Sequence, residues 1–256
     1  MTALSALPPV LLSCLLLCPT DPAAATGTSP PDTADTTDET FETRVREYLL
    51  NNPGVVVEAI ERWRTQQAEA ETARVAALID EHREALFRHP DDPVGGNPDG
   101  DVTLVEFMDY NCVFCRRIYP ALLDLRQQDP ALRVVFKEFP ILGLGSEFAA
   151  KAALAARQQA LYQPFHDAMM QVEGVLDEDR VLTIAGELGL DLARLRADMD
   201  NPGFETMFQR NYSLAQDLGI TGTPSFVIGE RLVDGAVDLE TLQTLVREAR
   251  ETAEGD

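Results

Sequence analysis

The sequence predicts an α/β fold in which a strand–helix–strand frame is interrupted by an inserted helical domain and preceded by an N-terminal helical stalk. Three observations predict it. Residues 102–108 and 132–139 are apolar, β-prone runs, and the stretch between them places apolar side chains at helical spacing. Residues 146–218 carry a helical pattern without a strand signal, and a Pro-containing run follows at 220–229. Residues 53–87 are rich in Ala, Glu, Gln and Arg but offer only a narrow apolar stripe.

At 256 residues the chain can hold one large domain, or a domain with an appendage. Its 21 Lys and Arg against 43 Asp and Glu give a formal charge of −22, which argues against nucleic acid and anionic membrane surfaces as partners. No stretch of the mature chain reaches the roughly 18 uncharged apolar residues of a spanning helix.

In chain order, residues 1–25 read as an export signal, with a short apolar core at 10–18 and cleavage after Ala25. The segment before the core lacks Lys and Arg, and Cys14 and Cys18 leave lipid attachment open beside plain cleavage. Residues 26–40, mostly Thr, Asp, Pro and Ser, predict a disordered acidic linker. Phe41, Val45, Tyr48 and Leu49 form the stripe of a short helix, which Asn51-Asn52-Pro53-Gly54 breaks with Asn52 as the next N-cap. One long helix is predicted over 53–87. Val56, Ile60 and Trp63 mark its early face, and Val75, Ile79, His82 and Leu86 its late face; residues 66–72 between them are small or polar. Residues 41–90 are therefore expected to be a stalk for self-association, against the alternative of a cap packed on the domain. The turn formers at 90–100 separate it from the segments 91–145, 146–218 and 219–256.

The run at 102–108 leads into Cys112-Val113-Phe114-Cys115. A strand-to-helix junction puts these thiols at the unpaired N–H groups and positive dipole end of a helix, where a thiolate is favoured. Cys112 is read as the attacking thiolate and Cys115 as its resolving partner. A structural zinc site needs four ligands, and the mature chain supplies no second pair. A purely structural bridge over two intervening residues would close too small a loop to constrain the unfolded chain much.

Beyond the pair, residues 132–139 read as a second buried strand ended by Pro140, which with the intervening helix makes a parallel βαβ unit. Ser146 and Asp177 are candidate N-caps, Gly174 and Gly189 candidate breaks, and Pro202-Gly203 a restart. Phe148, Leu154, Phe165 and Met169 are expected to fill the helical core. His166 and Trp63 are read as packing or surface residues with nothing paired to them. Strands at 220–229 and 230–235 suit a hairpin at a sheet edge, followed by a helix from Asp238.

This order resembles the thioredoxin fold with a helical insertion, and among its members the DsbA-like exported thiol:disulfide oxidoreductases. The likeness is carried by Val-Glu-Phe-Met-Asp-Tyr-Asn-Cys-Val-Phe-Cys at 105–115, Phe-Lys-Glu-Phe-Pro-Ile-Leu at 136–142 and Gly-Thr-Pro-Ser-Phe-Val-Ile-Gly at 222–229. The stalk resembles that of the oligomeric suppressor-of-copper-sensitivity C subgroup. The resemblance implies a cis Thr223-Pro224 peptide facing the disulfide. It implies that Glu106 is a buried acid serving Cys115, against the alternative of a solvent-facing edge residue. It also implies a substrate edge made by Thr223, Pro224, Val113 and Phe114. Val113 and Phe114 depart from the Pro-His of strongly oxidising relatives, which leaves the redox potential open. The implied activity is oxidase or isomerase, without cofactor or metal. The implied clients are unfolded or misfolded exported proteins, with a membrane redox partner, a homo-oligomer through 41–90 and a periplasmic or otherwise exported setting. A thiolate copper-binding module or a redox scaffold without turnover is the alternative.

Overall fold

The computed structural model describes residues 35–255. The export signal, Cys14, Cys18 and the first part of the expected linker lie outside the described residues. The chain divides into one unit reaching to Ile60 and another starting at Glu61. In the first, α1 (Asp35–Asn51) and the opening of α2 (Pro53–Glu81) leave Phe41, Tyr48, Leu50, Val57 and Ile60 exposed. The helix starts at Asp35 rather than at Phe41, so residues 35–40 are not the disordered linker expected. Once a helix is nucleated, each added residue gains a hydrogen bond, and it runs back into a segment with no apolar pattern of its own. Asn52 stands in the expected N-cap position, directly before Pro53 and with its carbonyl accepting from Val55 N–H, but its side-chain amide turns back and donates to the Tyr48 carbonyl at 2.9 Å, closing α1.

In the second unit, α3 (Arg83–Phe87) follows α2 after a break at His82. The single helix expected over 53–87 is thus interrupted where Leu86 and Phe87 turn into the core. A five-stranded sheet has the order β1-β3-β2-β4-β5, made by β1 (Val94–Gly96), β2 (Val102–Met108), β3 (Leu132–Glu138), β4 (Ser225–Ile228) and β5 (Arg231–Asp234). β2 and β3 pair in parallel across α4 (Val113–Gln128), and the other pairings are antiparallel. β1 lies in the run of turn formers read as a loop. Its glycines are what allow it, since a Cβ on Gly96 would fall 2.5 Å from the Leu132 carbonyl oxygen.

Between β3 and β4 come α5 (Leu144–Ala156), a 3-10 turn (Arg157–Gln159), α6 (Tyr162–Met170), α7 (Glu178–Glu187), α8 (Leu192–Met199) and α9 (Pro202–Leu218); α10 (Leu239–Gly255) closes the chain. This is the thioredoxin-like frame with its inserted helical domain. Asp177 caps α7, but α5 is capped at Gly143 (φ +108°) rather than at Ser146, whose hydroxyl is buried inside the helix without a partner. One sheet face, with Leu104, Met108, Val134 and Phe136, packs against α4, the helical block and α10. The other, with Val105, Phe107 and Val135, packs against Ile79, Leu86, Phe87 and Leu218. Leu154, Phe165 and Met169 are buried in the helical core, with Phe148 half-buried against it.

Candidate active site

Strand β2 is apolar enough to be buried along its length, so it delivers the residues that follow it to the edge of the core. There the chain turns through residues 109–111 and enters α4 with Cys112 as N-cap, in an extended conformation at φ −74° and ψ 117°. This places Cys112 at the ring of free N–H groups that open a helix, and Cys115 one turn inside. Both are free thiols. Cys112 keeps 6% exposure, and Cys115 is fully covered.

The environments of the two sulfurs are opposite. Cys112 is pulled down to about 5, first by the Cys115 thiol bonding its sulfur and then by the Thr223 side chain and the N–H groups of Cys115 and Phe114, against the opposing effect of burial. Cys115 is pushed far up, first by burial, then by its bond to Cys112 and the charge of Glu106. One sulfur is therefore a thiolate at neutral pH while its neighbour keeps a proton.

The Thr223–Pro224 bond is cis. It sets the Thr223 carbonyl oxygen 3.1 Å from Cys112 Sγ, which donates to it as a thiol. On ionisation that donation ends, and the amides and hydroxyl carry the stabilisation. Val113 and Phe114 stand 63% and 54% exposed beside the sulfur, so the pair between the cysteines faces outward. The Arg117 guanidinium lies 5.2 Å from the Phe114 ring centroid, a cation–π contact.

Glu106, on β2, is fully buried, and neither carboxyl oxygen has a hydrogen-bond partner. Burial first and the Cys112 charge second push it up to about 8, with Arg126 pulling the other way. It is thus an interior acid, not an edge residue. The structure gathers Glu106, Cys112, Cys115, Val113, Phe114, Thr223 and Pro224 around one junction.

Other residues of this site carry no motif. Asp109 is buried and accepts from Asn111 N–H at 2.7 Å, Ile141 N–H at 2.9 Å and Leu142 N–H at 3.0 Å, tying the loop before Cys112 to the loop after β3. The Asn111 side chain clasps both backbone groups of Leu176, at 2.8 and 3.0 Å, and Arg116 donates to the carbonyls of Val172 and Gly174. Leu142 and Val175, on the loops so clasped, and Leu144, at the start of α5, are exposed apolar residues. Tyr110 reaches inward instead, its hydroxyl 3.2 Å from Glu138 and 3.0 Å from His166 Nδ1. His166 is fully buried and has this partner, so the expectation that nothing pairs with it is corrected; Trp63 is 60% exposed on α2. A Lys-Glu pair inside a strand as apolar as 132–139 was the one sequence signal that could have pointed to Glu138.

Residues 103–247 match a family model described as the DSBA-like thioredoxin domain, and residues 39–70 match the copper resistance protein ScsC N-terminal domain. A thioredoxin-like oxidoreductase from Silicibacter pomeroyi has a similar solved structure, with TM-score 0.65 and 50% identity, covering 66% of this chain and 98% of that one. The thiol:disulfide interchange protein DsbA of Bordetella bronchiseptica is 27% identical over 57% of this chain and 71% of its own length. A protein named Na(+)/H(+) antiporter NhaA from Herminiimonas arsenicoxydans is 31% identical over 62% of this chain. The chain spans about a quarter of the length of that relative. Among the described residues, no helix is long and apolar enough to cross a membrane.

Proposed function

The chain belongs to the DsbA-like thioredoxin-domain family, and from that premise we propose that it exchanges disulfides with exported proteins through Cys112, with Cys115 as the resolving thiol. The observation that carries this is the split between the sulfurs, with a stabilised thiolate at a helix mouth three residues before a buried thiol that has an acid behind it.

In the reducing direction the Cys112 thiolate attacks a client disulfide, and one client sulfur leaves with the bonding pair. Cys115 passes its proton to Glu106, attacks the Cys112 sulfur and releases the second client thiolate. Two electrons move to the client and the Cys112–Cys115 bond forms. The reverse sequence oxidises a client dithiol, and the low pKa of Cys112 favours it because a stabilised thiolate leaves readily. Net turnover in either direction needs an outside redox partner to reset the pair, which is where a membrane protein would act. Thr223, Pro224, Val113 and Phe114 form the docking edge, with Pro224 contributing no N–H and the Thr223 carbonyl lying against the reacting sulfur. The periplasm or another exported setting suits this chemistry, since disulfides persist there.

Exposed apolar residues from Phe41 to Trp63, all within the part that matches the ScsC N-terminal domain, support a homo-oligomer through 41–90. Several active sites around one client would favour isomerisation over simple oxidation. Light scattering should show a mass that drops to the monomer when 41–90 is deleted; an unchanged mass rejects the stalk. The copper reading gains no support from the 39–70 match, because that segment contains neither Cys nor His.

The deciding experiment is insulin reduction together with refolding of a scrambled client, by wild type and by Cys112→Ala. Activity is expected in the first and not in the second. Equal activity in both ends the enzyme reading.

A further inference from the structure

Glu106 and Glu138 lie on the same face of the sheet, on neighbouring parallel strands. Glu106 is in register with Phe136 and Glu138 with Met108, so the two acids are one same-face step apart. Strand spacing and rise put their Cα atoms about 8 Å from each other, within reach of two glutamate side chains. Both are fully buried. Glu106 makes no hydrogen bond, while one oxygen of Glu138 accepts from Tyr162 at 2.9 Å and Tyr110 at 3.2 Å and the other has no partner. Among the described residues neither carboxyl is bridged to a cation.

The groups facing this pair can be named from each side. Glu106 meets Cys112, Cys115, Tyr119 and Arg126 along α4. Glu138 meets Tyr162 of α6 and Tyr110 and Asp109 of the loop before Cys112, and Tyr110 also bonds His166. Arg126 draws Glu106 down and the two phenols draw Glu138 down, while burial, the leading cause, pushes both up and the Glu106 charge adds to the rise of Glu138.

We propose that Glu106 and Glu138 titrate as one coupled acid pair beneath the redox cysteines, Glu106 exchanging a proton with Cys115 and Glu138 acting as a positioning residue that sets how tightly Glu106 holds it. With Glu138 protonated, the Cys115 proton moves onto the Glu106 carboxylate, and the freed sulfur pair attacks Cys112 as the client sulfur leaves. Once Glu138 has lost its own proton, the second negative charge makes Glu106 a stronger base for the same transfer. This last step rests on the exchange reading; the coupling itself does not.

The test is a carbon-13 titration of glutamate carboxyls in the full chain, for wild type, Glu106→Gln and Glu138→Gln, beside the pH profile of mixed-disulfide release. In Glu106→Gln the Glu138 midpoint should fall by at least about one pH unit from its wild-type value, the interaction that marks coupled sites. The release profile should show two inflections in wild type and one in Glu138→Gln, whose amide still accepts from both tyrosines. A Glu138 midpoint unmoved in Glu106→Gln overturns the pair. So does a Glu138→Gln profile lowered by the same factor at every pH, which a purely structural role would give. Should Glu138→Gln not fold, the midpoint in Glu106→Gln decides alone. If wild type releases no mixed disulfide while that midpoint still falls, the exchange reading fails and the coupled pair stands.

Discussion

Lys137 and Glu138 are consecutive on β3 and fully buried, yet they face opposite sides of the sheet. On the side covered by α3 and α9, Lys137 is bridged to Asp92 and donates to the Ala85 carbonyl, and Asp92 also holds Arg210, whose guanidinium contacts His89. On the other side Glu138 has only phenols, and Glu106 has nothing. A buried charge that serves architecture is neutralised, because an uncompensated one costs several kcal/mol. The acids near the cysteines are left uncompensated, and the result is a pair of carboxyls that titrate near neutral pH, where a proton can be exchanged.

The largest effect expected from breaking this contrast is on the neutralised side. Asp92→Asn removes the one anion shared by Lys137 and Arg210 and turns an amide N–H2 toward one of them. Loss of one partner of a buried pair costs about 3–5 kcal/mol. The fall should sit at the lower end, since burial has already drawn Lys137 down to about 8 and it can shed its proton. Denaturant midpoints of wild type and variant measure this; a change under about 1 kcal/mol, the scale of an exposed ion pair, would show that the cluster is not holding α3 to the sheet.

On the uncompensated side the sign reverses. Glu106→Leu removes a buried polar group without hydrogen bonds, so stability should rise by about 1–3 kcal/mol while mixed-disulfide resolution slows by about 10²–10⁴-fold, as for loss of a general base. The pH dependence follows from the direction of the shift. The folded pKa of Glu106, about 8, lies above its ordinary 4.5, so its contribution is fully favourable below about 4.5 and is lost as pH rises toward 8. In the variant that loss should be absent. The comparison belongs in the oxidised form, because the reduced Cys112 thiol has a depressed pKa and its contribution runs the other way, lost as pH falls through about 5. In the oxidised form the Cys112 charge no longer adds to Glu106, and burial, the leading cause, holds its pKa above the ordinary value. An oxidised variant with the same slope as wild type above pH 4.5 would place the titration elsewhere.

What the sequence made legible follows the same division. Cys112 and Cys115 could be placed at a strand-to-helix junction because the apolar run before them and the helical spacing after them are both local patterns. Burial of Glu106 was implied by the family resemblance, since an acid in a strand reads locally as well as a solvent-facing edge residue. Thr223-Pro224 is more than a hundred residues from the sulfur it faces, and no local pattern joins them; only the family resemblance did. Asp92 was hidden more thoroughly. It sits among prolines and glycines, a composition that reads as solvated loop, and its burial depends on β1, which exists because Gly95 and Gly96 let the backbone approach β3. Long-range charge pairing of this kind leaves no periodicity to read.

The smallest effect should come from Lys137→Met, and it sharpens the comparison by asking which member of the neutralised cluster is needed. Methionine matches the length of the lysine stem and keeps its packing, while Asp92 retains Arg210 as a counter-charge. Replacing one arm of such a cluster by an apolar side chain is often close to neutral, so a change within about 1 kcal/mol at pH 7 is expected, well below that of Asp92→Asn. The pH trend is diagnostic. Burial, the leading cause, lowers the folded pKa of Lys137 to about 8 from its ordinary 10.5. Its contribution is therefore fully present above about 10.5 and declines as pH falls through 8. Wild type should gain on Lys137→Met between pH 8 and pH 10, read as diverging denaturant midpoints. Midpoints that stay parallel, or a loss at pH 7 as large as that of Asp92→Asn, would mean that the lysine charge itself, and not the aspartate it satisfies, anchors this face.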